Sequence, residues 1–285
     1  MKLKQLLIIP ILTALLCCCE DTDPTLTSPS EIPLVVEGWI EEGALPIVMV
    51  THAVDLTVDT ASFDGFVEKW CRVSVEDTGS GERYFLTGRI NNDYTPSFIF
   101  THTRLRGQAG HTYRLMVETD DTVAVAEATL SPAPAIDSLT ICKTAGSDSL
   151  YSIQAYSSGV ESDGDYKFFA RAIDTESRYY PTFLGTFHGS DYSASQGWNI
   201  TRGTRAQYSD DDTTFSHHFR SGERVMVKLC TIDPAVYTFW HSYDSNVSLS
   251  ANLFFTFTDN CRGNIDGALG YWAAYGTSVR SITIP

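Results

Sequence analysis

Short runs of alternating β-branched and aromatic residues, separated by turn residues, constrain the fold of this chain more than any other feature. Seven such runs lie within about 100 residues, with little helical periodicity among them. They are Leu34–Ile40, Ile47–Thr51, Cys71–Val75, Arg83–Thr87, Phe98–Thr101, Thr112–Glu118 and Val123–Ala128. A period of two is typical of strands. The pattern predicts an immunoglobulin-like antiparallel β-sandwich over residues 32–130.

One segment of this region carries a more specific signal. Gly110 forms a turn before a strand in which Tyr113, Leu115 and Val117 share a face. In immunoglobulin-like and fibronectin-like domains, a tyrosine near the start of the penultimate strand packs at a corner. We expect Tyr113 to take this position. If it is simply a buried aromatic residue, the predicted fold is the same.

The proline-rich segment Ser131–Ala135 predicts a boundary between two domains, with a linker over residues 131–136. Beyond it, further runs predict a second β-rich domain over residues 137–285. The predicted strands are Ser138–Lys143, Tyr151–Tyr156, Tyr166–Ala172, Thr182–Phe187, Arg224–Ile232, Leu269–Tyr275 and Ser278–Ile284. The chain is therefore predicted to be mainly β.

One short α-helix is predicted within the second domain, at about residues 233–245. Asp233 is a suitable N-cap, and Pro234 suits the first helical position. An apolar stripe follows, made of Val236, Phe239 or Trp240, and Tyr243. We expect this stripe to pack against a sheet.

The N-terminus has the pattern of an export signal. Two lysines are followed by an apolar run, Leu6–Leu16, and then by Cys17, Cys18 and Cys19. The run is about ten residues long, whereas a membrane-spanning helix needs about 20. Residues 1–18 are therefore predicted to be a signal peptide that is removed.

Leu16–Cys19 resembles a bacterial lipobox, in which a leucine three positions before a cysteine directs lipid to that cysteine. Cys19 is the predicted lipidation site because two acidic residues follow it directly. Leu15–Cys18 is an alternative, and so is an ordinary secretory signal. Residues 19–31 would then be the lipidated cysteine and an acidic tether. Acidic residues after the cysteine resemble the surface-export signal of outer-membrane lipoproteins in gut-type Gram-negative anaerobes. We therefore expect an outer-membrane location that faces the medium, with a periplasm-facing location as the alternative.

The charge balance excludes one class of partner. The chain carries 20 basic and 35 acidic side chains, a formal net charge of −15. Proteins that bind nucleic acid neutralise phosphates with basic patches. We therefore expect no nucleic-acid partner.

Four cysteines follow the signal: Cys71, Cys142, Cys230 and Cys261. Exported chains can form disulfides, and four cysteines allow three full pairings. Cys142 and Cys230 both lie in predicted strands of the second domain, so they are the favoured pair. Cys71 and Cys261 would then link the two domains. Buried free thiols are the alternative, because a chain of this size is stable without disulfides.

The sequence contains no recognisable catalytic, metal or cofactor motif. A nucleophile elbow, a phosphate loop and a dinucleotide fingerprint are all lacking. His217 and His218 are adjacent, but on a strand they would point to opposite faces. The acidic segments Glu161–Asp165 and Asp210–Asp212 lack the full spacing of a calcium loop. We predict a protein that is not an enzyme, although a carboxylate pair assembled only by the fold is an open alternative.

Tyr180 and Trp198 are the candidate ligand-binding residues. Tyr180 belongs to the aromatic cluster Tyr179–Phe183, and Trp198 lies among glycine and serine residues. Such rings can stack on a sugar or contact a protein partner. Core packing is the alternative for both residues, and for Phe183 it is the favoured interpretation.

Several segments together resemble a known family. They are Pro33–Ile40, Leu86–Arg89, Arg104–Gly107, Gly110–Leu115 and Asn264–Trp272. The family is an uncharacterised group of outer-membrane lipoproteins described only as a domain of unknown function. The likeness covers nearly the whole mature chain and brings no catalytic residue.

Members of this family often sit beside TonB-dependent outer-membrane receptors. The resemblance therefore implies a ligand- or receptor-binding accessory in uptake, with such a receptor as a partner. A surface adhesin or structural module is the alternative, and a hydrolase is a third.

Overall fold

The computed structural model describes residues 33–53, 63–144, 146–147, 149–203, 216–250 and 261–285. All of them fall within one compact unit, Pro33–Pro285. The signal peptide, Cys19, the tether and Asp210–Asp212 lie outside the described residues. Within the described part of the chain, the helices are too short or too polar to cross a membrane.

The described residues form sixteen strands and one α-helix, which confirms the predicted mainly β fold. The strands are β1 (Leu34–Glu41), β2 (Ile47–His52), β3 (Arg72–Asp77), β4 (Glu82–Phe85), β5 (Thr87–Ile90), β6 (Phe98–Thr101), β7 (Thr112–Glu118), β8 (Val123–Thr129), β9 (Ser138–Lys143), β10 (Leu150–Tyr156), β11 (Asp165–Ala172), β12 (Tyr180–His188), β13 (Trp198–Ile200), β14 (Phe219–Arg220), β15 (Arg224–Ile232) and β16 (Leu269–Thr283). The helix, α1, covers Pro234–Ser250, and Phe63–Phe66 and Gly189–Asp191 form 3-10 turns.

The strands are arranged in one long sheet and two small ones. The long sheet has eight strands in the order β12-β11-β15-β16-β1-β2-β6-β5. One small sheet has the order β4-β3-β7-β8, and in the other β10 pairs with β9, β13 and β14. The pairing of β1 with β16 is parallel. The neighbouring pairs β1–β2 and β15–β16 are antiparallel.

Both small sheets pack on the same face of the long sheet. The first core contains Val36, Leu115 and Trp272, and the second contains Phe168 and Ile282. Trp272 and Ile282 lie an even number of residues apart on β16, so their side chains point to the same face. The fold is thus two β-sandwiches that share one long sheet, as expected for immunoglobulin-like packing.

Tyr113 takes the predicted corner position. Its ring is buried, and its hydroxyl accepts a hydrogen bond from the backbone N–H of Gln108 at 2.9 Å. Trp272 in turn donates its indole N–H to the carbonyl of Tyr113 at 2.9 Å. The corner therefore joins the first small sheet to the long sheet.

The last strand corrects one prediction, because Leu269–Tyr275 and Ser278–Ile284 are not separate strands. They belong to the single strand β16, which pairs with β1 in its first half and with β15 in its second. The partners change at Gly276, where a Cβ would lie 1.8 Å from the carbonyl oxygen of Ser131. The predicted linker therefore passes directly over the long sheet. A domain boundary at residues 131–136 stays a prediction.

A second correction concerns Arg83–Thr87, which is not one strand. The chain leaves β4 in the small sheet and enters β5 in the long sheet, with Leu86 between them. Leu86 is buried, and its N–H donates to the carbonyl of Val73 at 2.8 Å. Burial of this single side chain between the sheets accounts for the break.

The helix packs on the opposite face of the long sheet. It begins at Pro234 as predicted and continues beyond residue 245 to Ser250. The carbonyl of Asp233 accepts the first helical bond from Tyr237, but its carboxylate accepts from the N–H of Thr129 at 2.7 Å. Val236, Phe239 and Trp240 are buried against the sheet, as the stripe predicted.

The predicted Cys142–Cys230 disulfide is wrong, because both residues are free thiols in the structure. Cys142 is exposed in β9, whereas Cys230 is buried in β15 of the long sheet. Cys71 and Cys261 are also free. Burial raises the pKa of Cys230 above its ordinary value, so the thiol is kept protonated.

Candidate functional site

A cavity of about 920 Å³ lies on the helix side of the long sheet. The alternation of side chains along β1 explains the position of this cavity. Val36 and Ile40 point to the first core, while the alternate positions Glu37, Trp39 and Glu41 line the cavity. One strand therefore supplies both a core wall and a cavity wall.

Aromatic residues form a large part of the cavity wall. Ten of the described lining residues carry aromatic rings, contributed by β1, the loop before β6, β11, α1, β16 and the segment that enters β12. Phe239 of α1 stacks on Tyr271 of β16 with 4.4 Å between ring centroids. Trp240 donates its indole N–H to the hydroxyl of Tyr275 at 2.9 Å. These contacts hold the helix and the sheet together as a rigid wall.

Lys228 and Glu41 form an ion pair in the cavity lining. The ammonium of Lys228 lies 2.5 Å from a carboxylate oxygen of Glu41, and the lysine side chain is almost fully buried. The same ammonium lies 4.3 Å from the centroid of the Tyr179 ring. The two charges therefore compensate each other and link β15 to β1.

Glu37 is the acidic group that remains open. Its side chain is solvent-accessible within the cavity, although protein atoms surround it. It accepts no hydrogen bond from any residue that the structure describes. Burial raises the pKa of its carboxyl group above the ordinary value, and the charge of Arg178 opposes this shift. Burial also raises the pKa values of Tyr243 and Tyr271, and the Glu37 charge adds to both shifts.

Two aromatic rings hold Arg178 in the cavity lining. Its guanidinium carbon lies 5.1 Å from the centroid of Tyr94 and 4.9 Å from that of Tyr180. Its Nε atom is buried and has no hydrogen-bond partner among the described residues. The structure therefore presents a guanidinium that two aromatic rings hold in place in the cavity lining.

A second buried ion pair anchors α1 beside the cavity. Lys167 of β11 is fully buried, and its ammonium lies 3.0 Å from the carboxylate of Asp244 in α1. Asp244 also accepts the backbone N–H of Thr186 at 3.0 Å. The ammonium lies 4.9 Å from the Trp240 ring. The position of this cavity wall therefore depends on a desolvated charge pair.

The structure separates the two candidate residues of the sequence. Tyr180 lines the cavity and contacts Arg178. Trp198 instead stacks on the core residue Phe187 at 4.4 Å and donates its indole N–H to the carbonyl of Leu184. Binding through Tyr180 or Trp198 stays a prediction, and only Tyr180 lies at the cavity.

The sequence reasoning missed Glu37 and Arg178. A usable signal was present in β1, where both faces are occupied: one by apolar residues, the other by Glu37, Trp39 and Glu41. Such alternation indicates that the second face of the strand lies outside the core, although it does not distinguish a cavity wall from a solvent-exposed face. Arg178 lies in a turn and carries no local signal of its own.

The remaining polar motifs do not form a metal site among the described residues. His217 approaches the carbonyl of Arg202 at 3.1 Å, and His218 approaches the hydroxyl of Thr144 at 3.2 Å. In the acidic segment Glu161–Asp165, the N–H of Glu161 donates to the hydroxyl of Tyr166 at 3.0 Å. These residues support the second sandwich.

A family model described as "Domain of unknown function (DUF4249)" matches residues 20–281. The chain belongs to this family. The match extends over the cavity and both sandwiches, and it confirms the predicted resemblance to a domain of unknown function. No curated protein matches the chain.

Three solved structures match this DUF4249 chain at low similarity. A two-fibronectin type III domain segment of chicken tenascin is 10% identical, covers 70% of this chain and 91% of its own, and has a TM-score of 0.22. The FN1-FN3 domains of chicken CNTN1 are 11% identical, with coverages of 70% and 58% and a TM-score of 0.25.

The third structure is a DUF4785 family protein from Legionella pneumophila. It is 11% identical, with coverages of 71% and 53% and a TM-score of 0.21. The chain spans little more than half the length of the CNTN1 and Legionella chains. Similarity at this level carries nothing about function.

Proposed function

We propose that this DUF4249 chain is a ligand-binding protein whose aromatic cavity takes up a small organic molecule. The observation that carries the proposal is the cavity of about 920 Å³ with open polar groups, Glu37 and Arg178, on an aromatic wall. Ligand sites in proteins are typically concave and apolar with a few convergent polar groups, and they have volumes of about 300–1,000 Å³. The cavity has these properties.

The proposal places the protein in the outer membrane, anchored by lipid at Cys19 and facing the medium. The lipobox-like Leu16–Cys19 and the acidic tether of residues 19–31 support this location. The resemblance to outer-membrane lipoproteins supports an accessory role beside a TonB-dependent receptor. In this role the protein captures the ligand and passes it to the receptor.

Binding explains the cavity better than hydrolysis does. The cavity is lined by two described carboxylates, Glu37 and Glu41, and Glu41 is engaged by Lys228 at 2.5 Å. A glycosidase uses a pair of carboxyl groups that both act on the scissile bond. Glu37 therefore has no second open carboxylate beside it.

Native mass spectrometry tests the binding role. The mature protein is incubated with an extract of growth medium, re-isolated and sprayed intact. We expect a bound small molecule on the wild type and its loss in Ala44→Trp, which puts a bulky ring into the cavity lining. Ala235→Trp is the matched control, since Ala235 is exposed on α1 outside the lining residues. If no bound molecule is detected on the wild type or on either variant, the proposal is overturned.

Crosslinking in intact outer membranes tests the accessory role. We expect a TonB-dependent receptor to be crosslinked to the wild-type protein. Deletion of the gene should also slow growth on the nutrient of that receptor. Capture of no receptor, together with unchanged growth on each nutrient of neighbouring receptors, would contradict this part of the proposal.

A further inference from the structure

The cavity is basic although the protein is strongly acidic. The whole chain has 35 acidic and 20 basic side chains, a formal charge of −15. The described cavity lining reverses this balance, with four basic residues against Glu37 and Glu41. Lys228 and Glu41 compensate each other. Three guanidinium groups, those of Arg106, Arg171 and Arg178, then face one open carboxylate.

The three arginines keep their charge available. Arg106 donates to the carbonyl of Gly43 at 2.7 Å, and Arg171 donates to the carbonyl of Glu176 at 2.7 Å. Carbonyl groups orient a guanidinium without neutralising it. In the described part of the chain, no carboxylate lies within salt-bridge distance of any of the three. Their positive charge is therefore free to act on a ligand.

Arg178 is the best placed of the three. The rings of Tyr94 and Tyr180 hold its guanidinium, so little side-chain entropy is lost when a ligand binds. Its buried Nε–H has no partner among the described residues. A planar guanidinium of this kind matches the two oxygens of a carboxylate or a related anionic group.

We propose that the ligand of the cavity is an organic anion whose carboxylate, sulfonate or similar group binds Arg178 while its ring-shaped body packs on the aromatic wall. This inference rests on the proposed binding function and names its ligand class. Glu37 sets the orientation, because it repels the anionic end and accepts a hydrogen bond from a hydroxyl or amine on the rest of the ligand.

Two fluorescent dyes test this charge requirement directly. 8-Anilinonaphthalene-1-sulfonate and N-phenyl-1-naphthylamine share one ring system, and only the first carries a sulfonate. On the mature wild-type protein we expect the sulfonate dye to bind at least about 10-fold more tightly. Its affinity should fall as salt rises, since screening weakens the attraction of charges, and that of the neutral dye should not.

Arg178→Gln locates the effect. We expect it to weaken the sulfonate dye about 10-fold and to leave the neutral dye within about twofold. Arg114→Gln is the control, because Arg114 is exposed on β7 and pairs with Glu127 at 3.0 Å away from the cavity lining. Near-UV circular dichroism checks that each variant is folded. If Arg178→Gln does not fold, the wild-type affinity ratio and its salt dependence decide the question.

The outcomes separate the two proposals. Equal binding of both dyes, with no salt dependence, would overturn the anionic ligand class and leave the cavity as a site for neutral molecules. Failure of both dyes to bind, together with the absence of any bound mass in the native spectra, would overturn the binding function itself.

Discussion

The two sandwiches share one sheet but differ in what they bury. In the first, the core is formed by apolar side chains such as Val36, Leu115 and Trp272. Its ion pair Arg83–Glu76 lies at the surface, with side-chain exposures of 42% and 22%. In the second region, Lys167 is 0% exposed and its partner Asp244 8%. Buried charge is therefore concentrated around the second sandwich and the helix.

Both sandwiches nevertheless contain the same hydrogen bond between a tyrosine hydroxyl and an upstream backbone N–H. Tyr113 accepts the N–H of Gln108 at 2.9 Å, and Tyr166 accepts the N–H of Glu161 at 3.0 Å. Each tyrosine lies five residues after its donor. The two sandwiches thus share this tyrosine hydrogen bond, so it does not explain why they differ in buried charge. The difference in buried charge coincides with the cavity, to which the first sandwich contributes Glu37 and Glu41 of β1, while the second region contributes Lys228 of β15 and the helix α1.

The largest expected effect is on the buried ion pair. Lys167→Met removes the ammonium and leaves the Asp244 carboxylate desolvated without its partner. We expect a loss of about 3–5 kcal/mol in the free energy of unfolding, measured by urea denaturation. The control Arg83→Gln breaks an exposed pair and should cost less than about 1 kcal/mol. Equal losses for the two variants would remove the contrast between the regions.

A smaller and equal effect is expected at the two corners. Tyr113→Phe and Tyr166→Phe each remove a hydroxyl and leave one backbone N–H without its acceptor. Both should lower the free energy of unfolding by about 1–2 kcal/mol in the same urea assay. If only one variant loses free energy of unfolding, the two tyrosine hydrogen bonds do not stabilise the two sandwiches equally.

The smallest effect is expected from Glu37→Gln and depends on pH. The carboxyl group faces Arg178, Tyr243 and Tyr271, and burial raises its pKa above the ordinary value of 4.5. Its ionisation therefore opposes folding at neutral pH, and the variant should be slightly more stable there. The gain should shrink as pH falls through the raised pKa and vanish below about 4.5.

Thermal unfolding at several pH values measures this difference. Glu127→Gln is the control, because Glu127 lies exposed on β8 away from the cavity lining. A gain of the same size at every pH would contradict the role assigned to the burial of Glu37.

Much of the fold could be predicted because its signals are local. Alternation marked the strands, and the apolar stripe on α1 pointed to the buried residues Val236 and Trp240. Glycine followed by a strand tyrosine located the corner at Tyr113. Each of these signals lies within a few residues, where backbone geometry couples sequence directly to structure. Of the cavity residues, the same reasoning found Tyr180 but neither Glu37 nor Arg178.

Pairing over long distances explains what was missed. Lys228 and Glu41 meet across 187 residues. β16 is continuous because β1 pairs with its first half and β15 with its second half. Both partner strands are distant in sequence, so no local pattern predicts this pairing. The disulfide prediction was wrong because Cys230 is buried on the helix side of the long sheet, whereas β9, which carries the exposed Cys142, packs on the opposite side.

Local chemistry therefore specifies the strands, the helix, the tyrosine corner and membership of the DUF4249 family. Only the assembled sheet decides which faces become core and which become cavity. The physical reason is that strand register and order assign each side chain to a face, and these depend on hydrogen bonds between strands far apart in the chain. Glu37 and Arg178 become a candidate site when that assignment places them on the open face.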